Sequence, residues 1–522
     1  MTTSPNFLFI ITDQHRADHL GCYGNRIVKT PAIDGIAREG ISFDRFYVTS
    51  AICMPNRATL MTGRPPLLNG VRHNGLPLPL ESVTFLDCLR GAGYRTHLVG
   101  KSHLQNMTGK PAVGAGTKPV TEAVRRAGGR YDQEIARKWR DDPDHDLDLP
   151  YYGFDGVDLA IEHSDQVEGH YTRWLRARHP DPDKLRGPEN ALSNEAADLP
   201  QAWRTRVPEE LYPTTYIAEQ AIARLGEFGR NKEQPFFLMC SFPDPHHPFT
   251  PPGHYWDMYR AADIPLPASW NVDRDTCPPH VRRLLDERDS GQARKDTPAL
   301  FACTENEARR LTALTYGMIT MIDDAVARIL AALEKAGVAD NTVVVFTSDH
   351  GDLMGDHQLM LKGPVHYQGL IRVPFIWRDT AARRANGRRD GIGATLDLAR
   401  TILDRAGVAP FNGMQGVSQM PVIDGASPAV RDAALIEEEG QRIYMGFPSR
   451  IRMRTLVTER ARLSVFEGVD WAELYDLQDD PQEMRNLWGS PMVRSLERDM
   501  LERLAREMIA ASETSPLPMG LA

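Results

Sequence analysis

Thr342-Val343-Val344-Val345-Phe346-Thr347-Ser348, running straight into Asp349-His350-Gly351-Asp352, is the stretch on which the fold turns. Its β-branched and aromatic side chains favour a strand, and a run apolar on both faces belongs inside a sheet covered on both sides. Such sheets are mostly parallel and gather ligands at the carboxyl ends of their strands. Asp349 and His350 fall at that end.

Working outward, three further apolar runs finish in the same way. Asn6–Thr12 delivers Asp13-Gln14, Tyr94–Gly100 delivers Lys101-Ser102-His103, and Pro235–Phe242 opens into Asp244, His246 and His247. Helical stretches lie between them: Thr30–Gly40, with Pro at its start and Gly at its stop, Ser82–Gly91, and Thr214–Phe228 with apolar Ile217, Ala221, Ile222 and Leu225. Glu305–Ala336 reads as one long helix or a broken pair, and Ala394–Ala406 as a helix closed by Gly407. Short strands are expected at Ile41–Val48 and Val373–Trp377. The expected fold is α/β, a large mixed and mostly parallel sheet flanked by helices.

Two regions depart from that pattern. Residues 106–213 are rich in Gly, Pro and charge and read as an insertion at the rim of the sheet. The acidic run Asp141–Asp148 lacks the Gly and closing Glu of a calcium-binding loop and is expected as solvated surface. From residue 431 the strands Ile451–Val457 and Arg462–Phe466 alternate apolar with polar, the mark of antiparallel strands with one wet face, and a helix follows near 491–512. The chain therefore divides into a catalytic domain, 1–430, and a smaller C-terminal α+β domain, 431–522.

Composition narrows the function. With 61 basic and 70 acidic residues the net charge is −9, against a nucleic-acid binder. The basic clusters at Arg125-Arg126 and from Arg383-Arg384 to Arg388-Arg389 are interrupted and expected as solvated surface. No apolar run is long enough for a membrane span or a signal core, and the six scattered cysteines suggest neither a disulfide framework nor a zinc site. A cytoplasmic enzyme is expected.

One of those cysteines stands apart. In Cys53-Met54-Pro55-Asn56-Arg57, Pro55 suits a first helical turn, Ala58 to Met61 can continue the helix and Gly63 can end it. Cys53 then projects from a helix N-terminus, which favours an anion, with Arg57 one turn on. Two carboxylates and a histidine, Asp13, Asp349 and His350, suit a divalent metal bound partly through oxygen. Lys101, Lys362, Arg57 and His103 supply the cations that a tetrahedral anion needs.

Cys-x-Pro-x-Arg at 53–57, with Thr62-Gly63-Arg64 after it, resembles the sulfatase signature for conversion of cysteine to formylglycine. Phe9–Gln14, Gly100–His103, His246–Phe249, Thr347–Asp352 with Lys362, and Glu473–Leu477 with Asp480-Pro481 also look like sulfatase motifs. The resemblance implies an alkaline-phosphatase-like fold. It implies that Asp13, Asp349, His350 and the formylglycine derived from Cys53 hold one metal, Ca²⁺ or Mn²⁺. Gln14 where many sulfatases carry a second acid, and His350 where many carry Asn, are similar to the choline-sulfatase and phosphonate monoester hydrolase branches. There Gln14, Asn74 and His247 are expected to touch substrate. By resemblance, the hydrated aldehyde attacks sulfur with Lys101 and Lys362 stabilising its oxygens, His246 or Lys362 protonates the leaving oxygen, and His103 takes the proton that lets sulfate go.

The expected activity is hydrolysis of sulfate monoesters, arylsulfatase-like, with phosphonate monoester and phosphodiester hydrolysis as the alternative. A silent binding protein and a two-metal phosphomutase are the other classes. The expected partners are a small anionic ester and a formylglycine-generating maturation enzyme, with no nucleic acid and no membrane. The alternating C-terminal strands and the Pro516-Leu517-Pro518 tail suggest a homo-oligomer.

Overall fold

A computed structural model describes residues 4–112, 121–124, 127–380 and 386–521. The basic pairs Arg125-Arg126 and Arg383-Arg384 lie outside them. The strands in chain order are β1 (Asn6–Thr12), β2 (Ile41–Tyr47), β3 (Arg95–Gly100), β4 (Gly156–Ile161), β5 (Glu168–Gly169) and β6 (Phe236–Phe242). Then come β7 (Phe301–Ala302), β8 (Thr342–Ser348), β9 (Leu359–Met360), β10 (Phe375–Arg378) and β11 (Gly387–Ala394). The last four are β12 (Ala433–Glu439), β13 (Arg452–Thr458), β14 (Ala461–Phe466) and β15 (Ala472–Asp476).

The main sheet has nine strands in the order β11-β2-β10-β8-β1-β6-β3-β4-β5. Its centre, β8-β1-β6-β3-β4, is parallel throughout. Antiparallel pairs enter only where β10 joins β8 and β2, and where β5 closes the far edge. Every residue of β1, β6 and β8 is buried, as their uninterrupted apolar runs require. Alternate side chains feed two cores. Phe7, Phe9, Ile11, Val343 and Val345 pack with Met54, Ala58, Leu60 and Met61 of the Cys53–Thr62 helix. Leu8, Ile10, Val344 and Phe346 pack on the other face with Ile217 and Ala221 of the Pro213–Phe228 helix and Ile319 and Ile322 of the Glu305–Lys335 helix.

The Glu305–Lys335 stretch is a single helix of 31 residues. Thr304 and Glu307 form a capping box at its start, and further along Asp323 accepts the amides of Ala32 and Ile33 at 3.0 and 2.8 Å. The helix expected over Ser82–Gly91 begins at Phe85, because Thr84 caps it and Asp87 bonds back to the Thr84 amide at 2.9 Å. Residues 106–213, expected as an insertion at the rim, contribute β4 and β5 to the main sheet itself. The alternation of Val157, Leu159 and Ile161 with Asp158 and Ala160 carries that strand signal. Among the described residues no helix is long and apolar enough to cross a membrane.

Strands β12 to β15 make a separate antiparallel sheet, covered on one face by the Arg494–Ala510 helix through Met500 and Leu504. Between this sheet and the main body lies a buried ionic knot. The Arg462 guanidinium donates to Glu483, to Glu473 at 3.1 Å and to Ser464 at 2.8 Å, beneath the rings of Tyr475 and Tyr367. Arg462→Ala would strand two buried carboxylates. It is expected to lower unfolding free energy by about 3–5 kcal/mol, read from the urea midpoint at unchanged slope.

Candidate active site

Because β8, β1, β6 and β3 are parallel neighbours, the residues that follow them meet in one row. The ladder extends one step past the strands: Asp349 N–H donates to Thr12 O at 3.1 Å, and Lys101 N–H to Ser241 O at 2.9 Å. Gly100 permits the second contact. Its φ is 107°, and a Cβ there would sit 1.9 Å from Ser241 O.

The Cys53–Thr62 helix ends against this row with every residue buried, and Gly63 closes it in a left-handed conformation. Cys53 Sγ lies 3.1 Å from His350 Nε2, 3.1 Å from Lys362 Nζ and 3.7 Å from Asp13 Oδ1. One ligand atom from each of Asp13, Cys53, Asp349 and His350 falls within 4.8 Å of all the others. His350 Nδ1 is 2.8 Å from Gly351 O, so it carries the proton and leaves Nε2 free to ligate.

Charge balance explains how these groups stay buried. Burial alone would raise the Asp13 carboxyl, yet Lys101, His246 and Lys362 hold it well below the usual carboxylate range. Burial and Asp13 push the Cys53 thiol up, but Lys362, His350 and Lys101 outweigh them and lower it. Burial, then neighbouring cations, keep His103 far below ordinary histidine values. Burial and the adjacent imidazoles do the same for His246.

The expected residues come together, but not all in the expected posture. Arg57, anticipated as a cation facing substrate, turns inward. Its Nε donates to Asp349 at 2.7 Å, its Nη1 to Ser241 Oγ at 2.9 Å and Lys101 O at 3.1 Å, and Nη2 stands 3.6 Å from Asp13. Gln14, expected on substrate, accepts from Lys362 Nζ at 3.0 Å, donates to Asp352 and meets His247 Nδ1 at 3.2 Å. Asn74 accepts the Met54 amide at 3.1 Å, quieting one free donor of the helix N-terminus beside Cys53. His247 keeps an unpartnered Nε2.

Three further residues belong to the site. His163, just past β4, lies 2.6 Å from Lys101 Nζ and stacks on His246 at 3.7 Å; His246 stacks in turn on His247 at 4.0 Å. Asp13, His163 and His246 converge as a second group, and the Lys101 ammonium donates to two of its members, Asp13 and His163. Asp352 ties Gln14 to the loop before Lys362 through the amides of Met354 and Leu361, both at 2.9 Å. Glu134 lies under His103 and accepts its amide at 2.8 Å. No local motif marks His163 or Glu134; only the strand pattern of β4 points to the first.

Comparison with known proteins agrees with this geometry. The Sulfatase family profile matches residues 5–408, and a profile described as N-sulphoglucosamine sulphohydrolase, C-terminal, matches residues 355–510. The chain is 28% identical to an arylsulfatase of Clostridium perfringens, over 93% of this chain and 90% of that one. It is 29% identical to a multifunctional alkaline phosphatase superfamily protein of Trinickia caryophylli, over 96% and 94% of the two chains. The crystal structure of a phosphonate monoester hydrolase of Agrobacterium radiobacter superposes with a TM-score of 0.77 at 26% identity, covering 98% of this chain and 97% of that one.

The four converging donors are expected to retain about one divalent ion per chain through purification. Elemental analysis of Asp349→Ala should find that ion gone. A wild-type protein free of stoichiometric metal would refute the assignment.

Proposed function

The chain belongs to the sulfatase family, and we propose that it hydrolyses sulfate monoesters using a formylglycine made from Cys53 and one divalent ion. The observation that carries this reading is the buried convergence of Asp13, Cys53, Asp349 and His350 at a helix start, with Lys101 and Lys362 beside them. Two carboxylates and a free imidazole nitrogen fit a hard divalent cation, Ca²⁺ or Mn²⁺. Such an ion supplies Lewis-acid neutralisation of charge on the ester oxygens. A separate maturation enzyme is required to oxidise Cys53, and the hydrated aldehyde places a nucleophilic hydroxyl where the thiol stands.

The lysines orient the substrate. Lys101 spends two of its three N–H groups on Asp13 and His163, which aims the third. Lys362 Nζ has four acceptors within reach, at Gln14 (3.0 Å), Cys53 (3.1 Å), His246 (2.7 Å) and His350 (3.2 Å), so its protons are readily redistributed to an arriving oxygen. His246 Nδ1 faces His247 O, which places its proton there and leaves Nε2 accepting from Lys362. The proton for the leaving oxygen therefore starts on Lys362. His246 and Lys362 act as one proton-sharing pair rather than as rival acids. His103 is neutral, with an unpartnered Nδ1, and is the base assigned to the step that frees sulfate.

A second reading, hydrolysis of phosphonate monoesters and phosphodiesters, draws support from the likeness to a phosphonate monoester hydrolase. Those esters carry one negative charge, as a sulfate monoester does, whereas a phosphate monoester carries nearly two. Mass spectrometry of the peptide containing residue 53 should show aldehyde in active enzyme; unmodified cysteine throughout would end the proposal. With one aryl leaving group, kcat/KM is expected to be highest for the sulfate and measurable for the phosphonate and the diester. A higher value for either phosphorus ester would transfer the assignment to the second reading.

A further inference from the structure

Taking His103 as the base that frees sulfate, we propose that Glu134 is the residue that positions it, by holding the backbone on which that histidine stands. After Gly100 the chain turns so sharply that His103 adopts a left-handed conformation, φ 58°. Across this turn the successive amides of His103, Leu104 and Gln105 form an anion-binding concavity.

The occupant of that concavity belongs to the chain itself. Glu134 Oε2 accepts from His103 N–H at 2.8 Å, while Oε1 accepts from Leu104 at 3.1 Å, Gln105 at 3.2 Å and the Tyr151 hydroxyl at 2.5 Å. Burial raises the Glu134 carboxyl above the ordinary range, and these donors pull against that rise. Three backbone amides, which can only donate, and the hydroxyls of Tyr151 and Ser102 face this 0% exposed group, an arrangement that suits a carboxylate. The docking runs both ways. Gln105 Oε1 accepts the Gln133 amide at 3.0 Å, and Met107 O accepts the Ala136 amide at 2.9 Å. His103 has no partner for its buried Nδ1, so no hydrogen bond there directs the ring, and its aim follows from the backbone that Glu134 fixes. Part of the 106–213 segment thereby buttresses the catalytic loop from beneath.

Glu134→Gln sets an amide N–H against backbone N–H groups and tests the proposal without relying on turnover alone. Hydrogen exchange at the amides of residues 103–105 should quicken in both the matured enzyme and the inactive Cys53→Ala protein, with the rest of the chain unchanged. On an aryl sulfate, kcat should fall roughly 10- to 100-fold while KM stays within about twofold. Stopped-flow should show a burst approaching one aryl alcohol per enzyme, because the sulfate-releasing step has become the slowest. Tyr151→Phe removes a single donor and should shift each readout the same way by a smaller factor. It carries the test if Glu134→Gln does not fold. Quickened exchange with wild-type kcat, or a loss of kcat that follows a lowered Tm without a burst, would overturn the proposal. So would unchanged exchange in both variants. His103→Ala separates the two claims: if it gives no burst, the role of His103 fails whatever Glu134 does.

Discussion

The Arg57 guanidinium between Asp349 and Asp13 is the contact on which the rest of the site depends. Both carboxylates are 0% exposed and stand at the ends of adjacent strands, where two buried like charges are costly without a cation between them. Arg57 binds Asp349 at 2.7 Å and reaches toward Asp13 from the second turn of the Cys53–Thr62 helix. The contact also pins the helix to the strand ends and fixes where Cys53 points. An ion pair of this kind adds little net stability to a fold, since desolvation consumes most of the attraction. Its value lies in position, and that is why its geometry is so fully specified by Ser241 and the Lys101 carbonyl.

The same logic explains what could be read from the sequence and what could not. Runs such as Asn6–Thr12 and Thr342–Ser348 announce buried strands, because only a central strand tolerates apolar side chains on both faces. Parallel pairing then brings Asp13, Lys101, His246 and Asp349 together with no further information. Posture was not legible. Arg57 looks like a substrate-facing cation in sequence, but which neighbour satisfies a side chain, for Arg57 as for Gln14, depends on residues more than two hundred positions away, here Asp349, Asp352 and Lys362. His163 and Glu134 lie in a segment whose composition reads as loop. Their contacts are with Lys101 and with the amides of residues 103–105, partners that local spacing cannot reveal.

The C-terminal sheet reaches the site through the stretch that carries Lys362. His366 lies 2.8 Å from both Thr455 Oγ1 and Glu438 Oε2, with Thr455 bonded onward to Ser464 and so to Arg462. Each of these side chains is buried, so a member left unsatisfied would cost about 1–3 kcal/mol. The sheet is therefore more than an appendage. Its polar side chains hold His366 and Tyr367, just past Lys362.

Strain in the same loop shows why so much support is needed. Met354, His357, Gln358 and Leu361 all have positive φ, between 40° and 70°, in the residues leading to Lys362. Each such conformation costs a non-glycine residue about 1–2 kcal/mol, so the loop would not keep this path alone. Asp352 offsets part of the cost by accepting the amides of Met354 and Leu361, and His357 stacks on Tyr367 at 3.6 Å. Leu361 is the residue immediately before Lys362, so the carboxylate that relieves the loop also sets the origin of the lysine side chain. Through Gln14 that carboxylate touches the far end as well, because the Gln14 carbonyl oxygen accepts from Lys362 Nζ. Asp352 thus fixes Lys362 at both its backbone and its ammonium. The ammonium that donates to His246 is thereby positioned by a carboxylate that reaches it only through Gln14.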